Sequence, residues 1–216
     1  QNVLIEKPYK FVPPITTSWP QRFLTKIGRF KSVLRKREGV VDHECRNLDR
    51  LRESIAAGHG VMLTPNHPRT ADPISMYHLA RETPCSLYAM ASWHLFNNGW
   101  FTRFMVRLMG AFSVNREGLD RAAVDYAIQV LQNAERPLLI FPEGATSRTN
   151  DQLMALMEGP AFIARTAAEE AHPHRISGRG ITGSGAPARL GARCRSLGAF
   201  SCLAAGEPPR DRNVGG

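Results

Sequence analysis

The sequence predicts an α/β fold, a largely parallel sheet flanked by helices, with a basic amphipathic helix ahead of it. Two patterns carry the prediction. Between residues 48 and 171, short apolar runs alternate with stretches of helical period. Each apolar run is only four to six residues long and is bounded by Gly, Pro, Asn or Ser, as buried parallel strands are. Composition agrees: 216 residues with 43% apolar and 22% charged side chains can build one sizeable core, which excludes a globally disordered chain. No run reaches 18 apolar residues, so no bilayer-spanning helix is expected.

The elements follow in order. Residues 1–18 are punctuated by Pro8, Pro13 and Pro14 and read as extended. Lys7 and Lys10 lead into prolines rather than an apolar stretch, so no secretory leader is expected, and the opening Gln1 suggests that an initiator Met is missing. Residues 21–37 read as a helix with Phe23, Leu24, Ile27, Phe30, Val33 and Leu34 on one face. Arg22, Lys26, Arg29, Lys31, Arg35, Lys36 and Arg37 fill most of its other positions, with no acid before Glu38. Such a helix can lie on an anionic membrane, or pack on its own domain with a solvated basic face; both readings stay open.

Residues 48–57 form a helix with the stripe Leu48, Leu51, Ile55 and a stop at Gly58. Strands are expected at 61–64, 86–91, 111–115 and 138–141. Helices are expected at 72–82, 100–109, 119–134 and 153–171. The aromatic stretch Trp93, His94, Phe96, Trp100, Phe101, Phe104, with Met105, has three readings: core, acyl-chain groove or membrane-facing patch.

Composition changes near His172. Residues 1–172 carry 21 basic and 17 acidic residues; residues 173–216 carry 7 Arg, no Lys and 2 acids, so they hold more than half of the net charge of +9. Residues 176–195 show no apolar run longer than two and no period, and cannot offset their backbone entropy by burial. They read either as a disordered basic tail or as a frameshifted stretch, since Arg, Gly, Ala, Pro and Ser are what GC-rich DNA gives out of frame. The organisation expected is therefore an N-terminal segment with its basic helix at 1–40, an α/β domain at 41–172, C-terminally incomplete, and an Arg/Gly/Ala-rich tail at 173–216. The four cysteines, at 45, 85, 194 and 202, show no CxxC spacing, and free thiols are expected.

Three segments fall at strand-to-loop junctions, where α/β sheets place ligands. Asn66-His67-Pro68-Arg69-Thr70-Ala71-Asp72 offers a His with an Asp five residues on: the carboxylate can hold one ring nitrogen and leave the other to take a proton. With no GxSxG turn in the chain, that proton would come from a substrate hydroxyl. Gly110-Ala111-Phe112-Ser113-Val114-Asn115-Arg116 ends in an Arg that can clamp a phosphate or form a surface ion pair. Phe141-Pro142-Glu143-Gly144-Ala145-Thr146-Ser147-Arg148 is a broken strand end with polar groups and a Gly that allows close backbone approach.

Taken together, His-x4-Asp, Gly-x-Phe-x-Val-x-Arg and Phe-Pro-Glu-Gly, in this order, resemble the glycerolipid acyltransferase superfamily, the 1-acylglycerol-3-phosphate (lysophosphatidate) acyltransferases and their relatives, over about residues 40–170. The resemblance implies an acyltransferase-like α/β fold and an O-acyltransferase of phospholipid biosynthesis. The acyl group would move from acyl-CoA or acyl carrier protein to the hydroxyl of a lysophospholipid. It also implies His67 as general base, Asp72 as its orienter, Arg116 on the acceptor phosphate, and Glu143 and Gly144 in the acceptor site; Asn66, Thr146 and Arg148 join them as substrate-binding candidates. No cofactor and no metal are expected beyond the acyl-carrying co-substrate. The expected partners are donor, acceptor and an anionic membrane surface, with no nucleic acid, and the expected location is peripheral, on the cytoplasmic face of a membrane.

The sequence departs from the family twice. Relatives often carry Ser or Thr two residues after the motif His, where this chain has Arg69, which bears on acceptor preference. The family's fourth motif, an apolar strand with a Pro, is not found after Arg175. This keeps a rival open: a non-catalytic peripheral membrane-binding protein. Gly178-x-Gly180-x-x-Gly183 follows no strand, so it is not read as a dinucleotide site, and His172 with His174 lacks a third metal ligand.

Overall fold

The computed structural model describes residues 8–26, 34–36, 38–83, 85–148, 154–170, 195–196 and 202–206. The strands among the described residues are β1 (Val40–Cys45), β2 (Val61–Leu63), β3 (Tyr88–Ser92), β4 (Ala111–Val114), β5 (Leu138–Leu139), β6 (Arg195–Ser196) and β7 (Cys202–Gly206). The helices among the described residues include α1 (Trp19–Lys26), α2 (Leu48–Ala56), α3 (Asp72–Glu82), α4 (Trp100–Leu108), α5 (Arg121–Asn133) and α6 (Gly159–Glu170), with a 3₁₀ turn at Trp93–Asn97 before α4.

A five-stranded sheet has the order β4-β3-β5-β2-β6, every neighbouring pair parallel. The expected α/β architecture is therefore present. β1 pairs antiparallel with β7 in a separate ribbon. Adjacent leucines of β5 serve opposite faces, as the two-residue strand period requires. Leu139 packs with Leu51, Leu63, Leu79 and Leu87 on the α2/α3 side. Leu138 packs with Phe112, Ala127, Leu131 and Ile163 on the α5/α6 side.

Several elements differ from expectation. The basic helix expected at 21–37 is described only as α1 and as helical residues 34–36, with residue 38 helical beyond it; residues 27–33 and 37 lie outside the described set. α1 sits on the domain through Gln21, whose amide donates to the Leu87 and Met109 carbonyls and accepts from the Leu87 N–H, while Trp19 and Phe23 stay exposed. The helix expected at 153–171 begins at Gly159. Pro160 suits a first helical turn, and the preceding backbone is drawn elsewhere, the Met157 N–H donating to the Pro142 carbonyl at 2.8 Å. β1 was not foreseen, because Asp42, His43 and Glu44 break any apolar run. β6 and β7 fall inside 173–216, where no strand was expected; Cys194 and the rest of that stretch lie outside the described residues, as does His172.

The extended strap at 8–16 runs along β4, the edge strand. The Val12 N–H donates to Ser113 Oγ at 2.8 Å and the Ser113 N–H donates to the Val12 carbonyl at 3.0 Å. Phe11 packs between Phe112 and Tyr126, with ring centroids 6.2 and 5.7 Å away. The strap thus covers a sheet edge that would otherwise offer unpaired backbone groups.

Candidate active site

The three loops come together because of strand order. β2 and β5 are neighbours, so the loop carrying His67 and the loop carrying Glu143 leave the sheet side by side. β4 lies three strand spacings from β2, about 14 Å at ~4.8 Å per spacing, which sets Arg116 across the same edge from His67.

His67 is fixed from four directions. Its N–H donates to Glu143 Oε1 at 2.7 Å, and its carbonyl accepts from the Ser147 N–H at 2.9 Å. Its ring stacks on Phe141 with centroids 4.3 Å apart. Nδ1 lies 3.2 Å from Asp72 Oδ2, and both side chains are largely buried. Asp72 opens α3, where the helix dipole favours its negative charge, and the same Oδ2 accepts from the Arg69 N–H at 2.7 Å. An Nδ1–H held by a carboxylate leaves Nε2 with its lone pair free. The Thr146 hydroxyl lies 3.4 Å from Nε2, within hydrogen-bond reach.

Beside His67 opens a cavity of about 880 Å³. Its walls are mainly apolar, with Ile74, Met90, Met105, Val106, Val114 and Ile163 among them. That volume falls in the range of small-ligand sites, and so few polar groups suit a hydrocarbon tail. His67, Gly144 and Thr146 line one part, and Asn115 and Arg116 another. Arg116 is exposed and has no hydrogen bond or ion pair to another described residue.

The remaining candidates divide. Glu143 is buried and is not among the residues lining the cavity; Oε1 holds the His67 N–H and Oε2 accepts from the Met154 N–H at 3.4 Å. It ties three pieces of backbone together. Gly144 lines the cavity with φ +67°, and a Cβ there would stand 2.6 Å from Met157 Sδ. Asn66 and Arg148 are exposed and do not line the cavity. Among the described residues no cluster of three or more His, Cys, Asp or Glu gathers to hold a metal ion.

The aromatic stretch divides the same way. Trp93 and Phe96 are buried, Met105 lines the cavity, and Trp100, Phe101 and Phe104 are exposed. Two residues were not singled out from sequence: Asp120, which lines the cavity, and Tyr9, whose hydroxyl is hydrogen-bonded to it. Asp120 directly precedes α5 and caps it, a position that an Asp before a helical run signals. Tyr9 carried no comparable signal.

Comparison with known proteins defines the class. The Acyltransferase family matches over residues 43–177, well over half of the chain, and the chain belongs to that family, within the glycerolipid acyltransferase superfamily. Among characterised relatives it is similar to the 1-acyl-sn-glycerol-3-phosphate acyltransferase of Streptococcus pneumoniae (strain ATCC BAA-255 / R6), 32% identical over 120 residues. The matched stretch is 54% of this chain and 41% of that protein, so the chain spans less than half the length of the relative it matches.

Proposed function

We propose that the protein transfers a fatty acyl group from a thioester donor, acyl-CoA or acyl carrier protein, to the hydroxyl of a lysophospholipid such as 1-acylglycerol-3-phosphate. The observation that carries this reading is the His67–Asp72 pair, with Asp72 on Nδ1 and Nε2 facing no charged group among the described residues, beside the Thr146 hydroxyl and an apolar cavity that Arg116 also lines. The acceptor's phosphate sits on Arg116 by charge-assisted hydrogen bonds and its hydroxyl reaches Nε2. Nε2 takes the hydroxyl proton as the oxygen attacks the thioester carbonyl. The tetrahedral intermediate collapses with loss of the thiolate, which recovers the proton from the imidazolium. Asp72 stabilises that imidazolium, and Glu143 acts at one remove by fixing the backbone of His67. The chemistry calls for no metal and no further cofactor.

The reaction belongs at a lipid surface. α4 has no buried residue, and its Trp100 is 81% exposed, beside exposed Phe101 and Phe104. Between Glu82 and Glu117 the chain holds no acid, while α4 carries Arg103 and Arg107. Aromatics with basic neighbours and no acid suit an anionic headgroup layer. Met105 and Val106 of the same helix line the cavity, so a lipid could pass from that surface to the site. No helix among the described residues is long and apolar enough to cross a membrane. The reading is therefore of a peripheral enzyme, on the cytoplasmic face where thioester donors are made.

The test is release of CoA from acyl-CoA with and without lysophosphatidate. Release should require the acceptor and fall about 10²–10⁴-fold in His67→Ala. Acceptor-dependent release that persists in a folded His67→Ala protein sinks the mechanism. Absence of release from the unaltered chain, with vesicle binding intact, favours the non-catalytic membrane-binding reading.

A further inference from the structure

The loop that carries Arg116 is closed by a single carboxylate. Asp120 Oδ2 accepts from the Asn115 N–H at 2.9 Å, and Oδ1 accepts from the Ala123 N–H at 3.1 Å. Inside the loop the Asn115 side chain accepts from the Glu117 N–H at 3.1 Å. The two ends of the 115–120 segment are therefore pinned together, with Arg116 between them. A third donor reaches the same carboxylate from far away in sequence: the Tyr9 hydroxyl stands 2.5 Å from Asp120 Oδ2 and 3.1 Å from Ser113 Oγ. Tyr9 sits in the strap, which β4 holds at Val12.

We propose that Tyr9 and Asp120 are positioning residues for the acceptor: the strap's hydroxyl sets the carboxylate that closes the 115–120 loop, and the closed loop presents Arg116 at the cavity rim. This rests on the reading of Arg116 as the ligand of the acceptor's phosphate. Three observations favour positioning over simple capping. A helix cap needs only the Ala123 contact, yet the other oxygen is committed to the loop and the strap. Arg116 has no partner among the described residues to hold it, so its loop must do so. Asn115, Arg116 and Asp120 all line the cavity, so a shift of the loop alters the cavity rim directly. Burial and the Asp120 carboxylate push the Tyr9 hydroxyl up to about 12, so it stays a donor throughout the working range of pH.

The test is steady-state kinetics with acyl-CoA and 1-acylglycerol-3-phosphate on Tyr9→Phe, Arg116→Ala and the double variant, with melting temperature and amide hydrogen exchange recorded. Tyr9→Phe should raise the acceptor KM about three- to tenfold, a part of the more than tenfold that one hydrogen bond to a charged group is worth, since the loss reaches Arg116 only through the loop. It should leave kcat and the acyl-CoA KM unchanged and speed exchange at residues 115–119. In the Arg116→Ala background it should add nothing to the acceptor KM. Asp120→Asn, where it folds, should reproduce the acceptor effect. An unchanged acceptor KM in Tyr9→Phe, or a full additional effect in the double variant, overturns the proposal. If Arg116→Ala itself leaves the acceptor KM unchanged, the phosphate reading fails and this inference with it. Faster exchange at 115–119 in Tyr9→Phe would then show that the latch exists but does not serve the acceptor.

Discussion

The two sides of the cavity are built by different physics. At the His67 side, loops after two adjacent strands are locked by backbone hydrogen bonds, a stacked ring and a buried carboxylate. At the α4 side a helix lies on the surface without one buried residue, and touches the cavity through flexible or small apolar side chains such as Met105 and Val106. Proton transfer needs a fixed lone pair, and a misplacement of an ångström is costly. A hydrocarbon chain needs only a dry, forgiving wall. The difference teaches where sequence change will be tolerated.

The largest effect comes from loosening the fixed side. Asp72→Asn keeps the shape but lets the amide present either an NH₂ or a carbonyl to Nδ1, so the imidazole is no longer held in one tautomer or paired when protonated. Turnover should fall by about 10²–10⁴-fold with the acceptor KM changed little, measured as acceptor-dependent CoA release. A fall of less than tenfold would mean that Asp72 serves the backbone of Arg69 more than the ring of His67.

The opposite side should respond in binding rather than in chemistry. Each large apolar side chain that leaves water for lipid contributes on the order of 1.5–3 kcal/mol. Trp100→Ala with Phe101→Ala should therefore lower binding to anionic phospholipid vesicles by at least about tenfold, read by co-sedimentation, while activity on a short-chain, water-soluble acceptor stays within about twofold. Equal vesicle binding by the double variant would move the lipid contact elsewhere, with exposed Trp19 and Phe23 of α1 the next surface to test.

Legibility in the sequence follows the same division. Four strands of the sheet were readable as short apolar runs, whereas β6, Arg195–Ser196, belongs to no such run; α5 was readable because Ala127, Ile128 and Leu131 share one face. The pairing of His67 with Asp72 was readable because both lie within one short segment. What the sequence hid was set by distant packing. Nothing local tells that Glu143 turns inward to the His67 N–H, 76 positions away, rather than toward a ligand. The link from Tyr9 to Asp120 spans 111 positions and exists only because the strap happens to cover the edge of β4. β1 was hidden for a different reason: its polar residues mark a half-exposed ribbon, not a core strand.

The smallest effect tests whether the boundary between the two sides is as sharp as this contrast implies. Gly144 stands at that boundary, since it follows Glu143 and yet lines the cavity. Its φ of +67° is unfavourable for any residue with a Cβ, by roughly 1–2 kcal/mol, and the added methyl of Gly144→Ala would meet Met157 Sδ at 2.6 Å. The sulfur is the end of a flexible side chain and can move aside, although the Met157 N–H stays on the Pro142 carbonyl. The strain should lower the melting temperature by about 2–8 °C, the usual conversion for a chain of this size. Met157 also lines the cavity, so its displacement narrows the apolar space while His67 keeps its hydrogen bonds. Gly144→Ala should then favour shorter acyl donors over longer ones by a few-fold in kcat/KM, with kcat for the shortest donor nearly unchanged. A uniform fall across chain lengths would instead mean that the turn at Gly144 transmits its strain to His67, and that the fixed and forgiving sides are mechanically one.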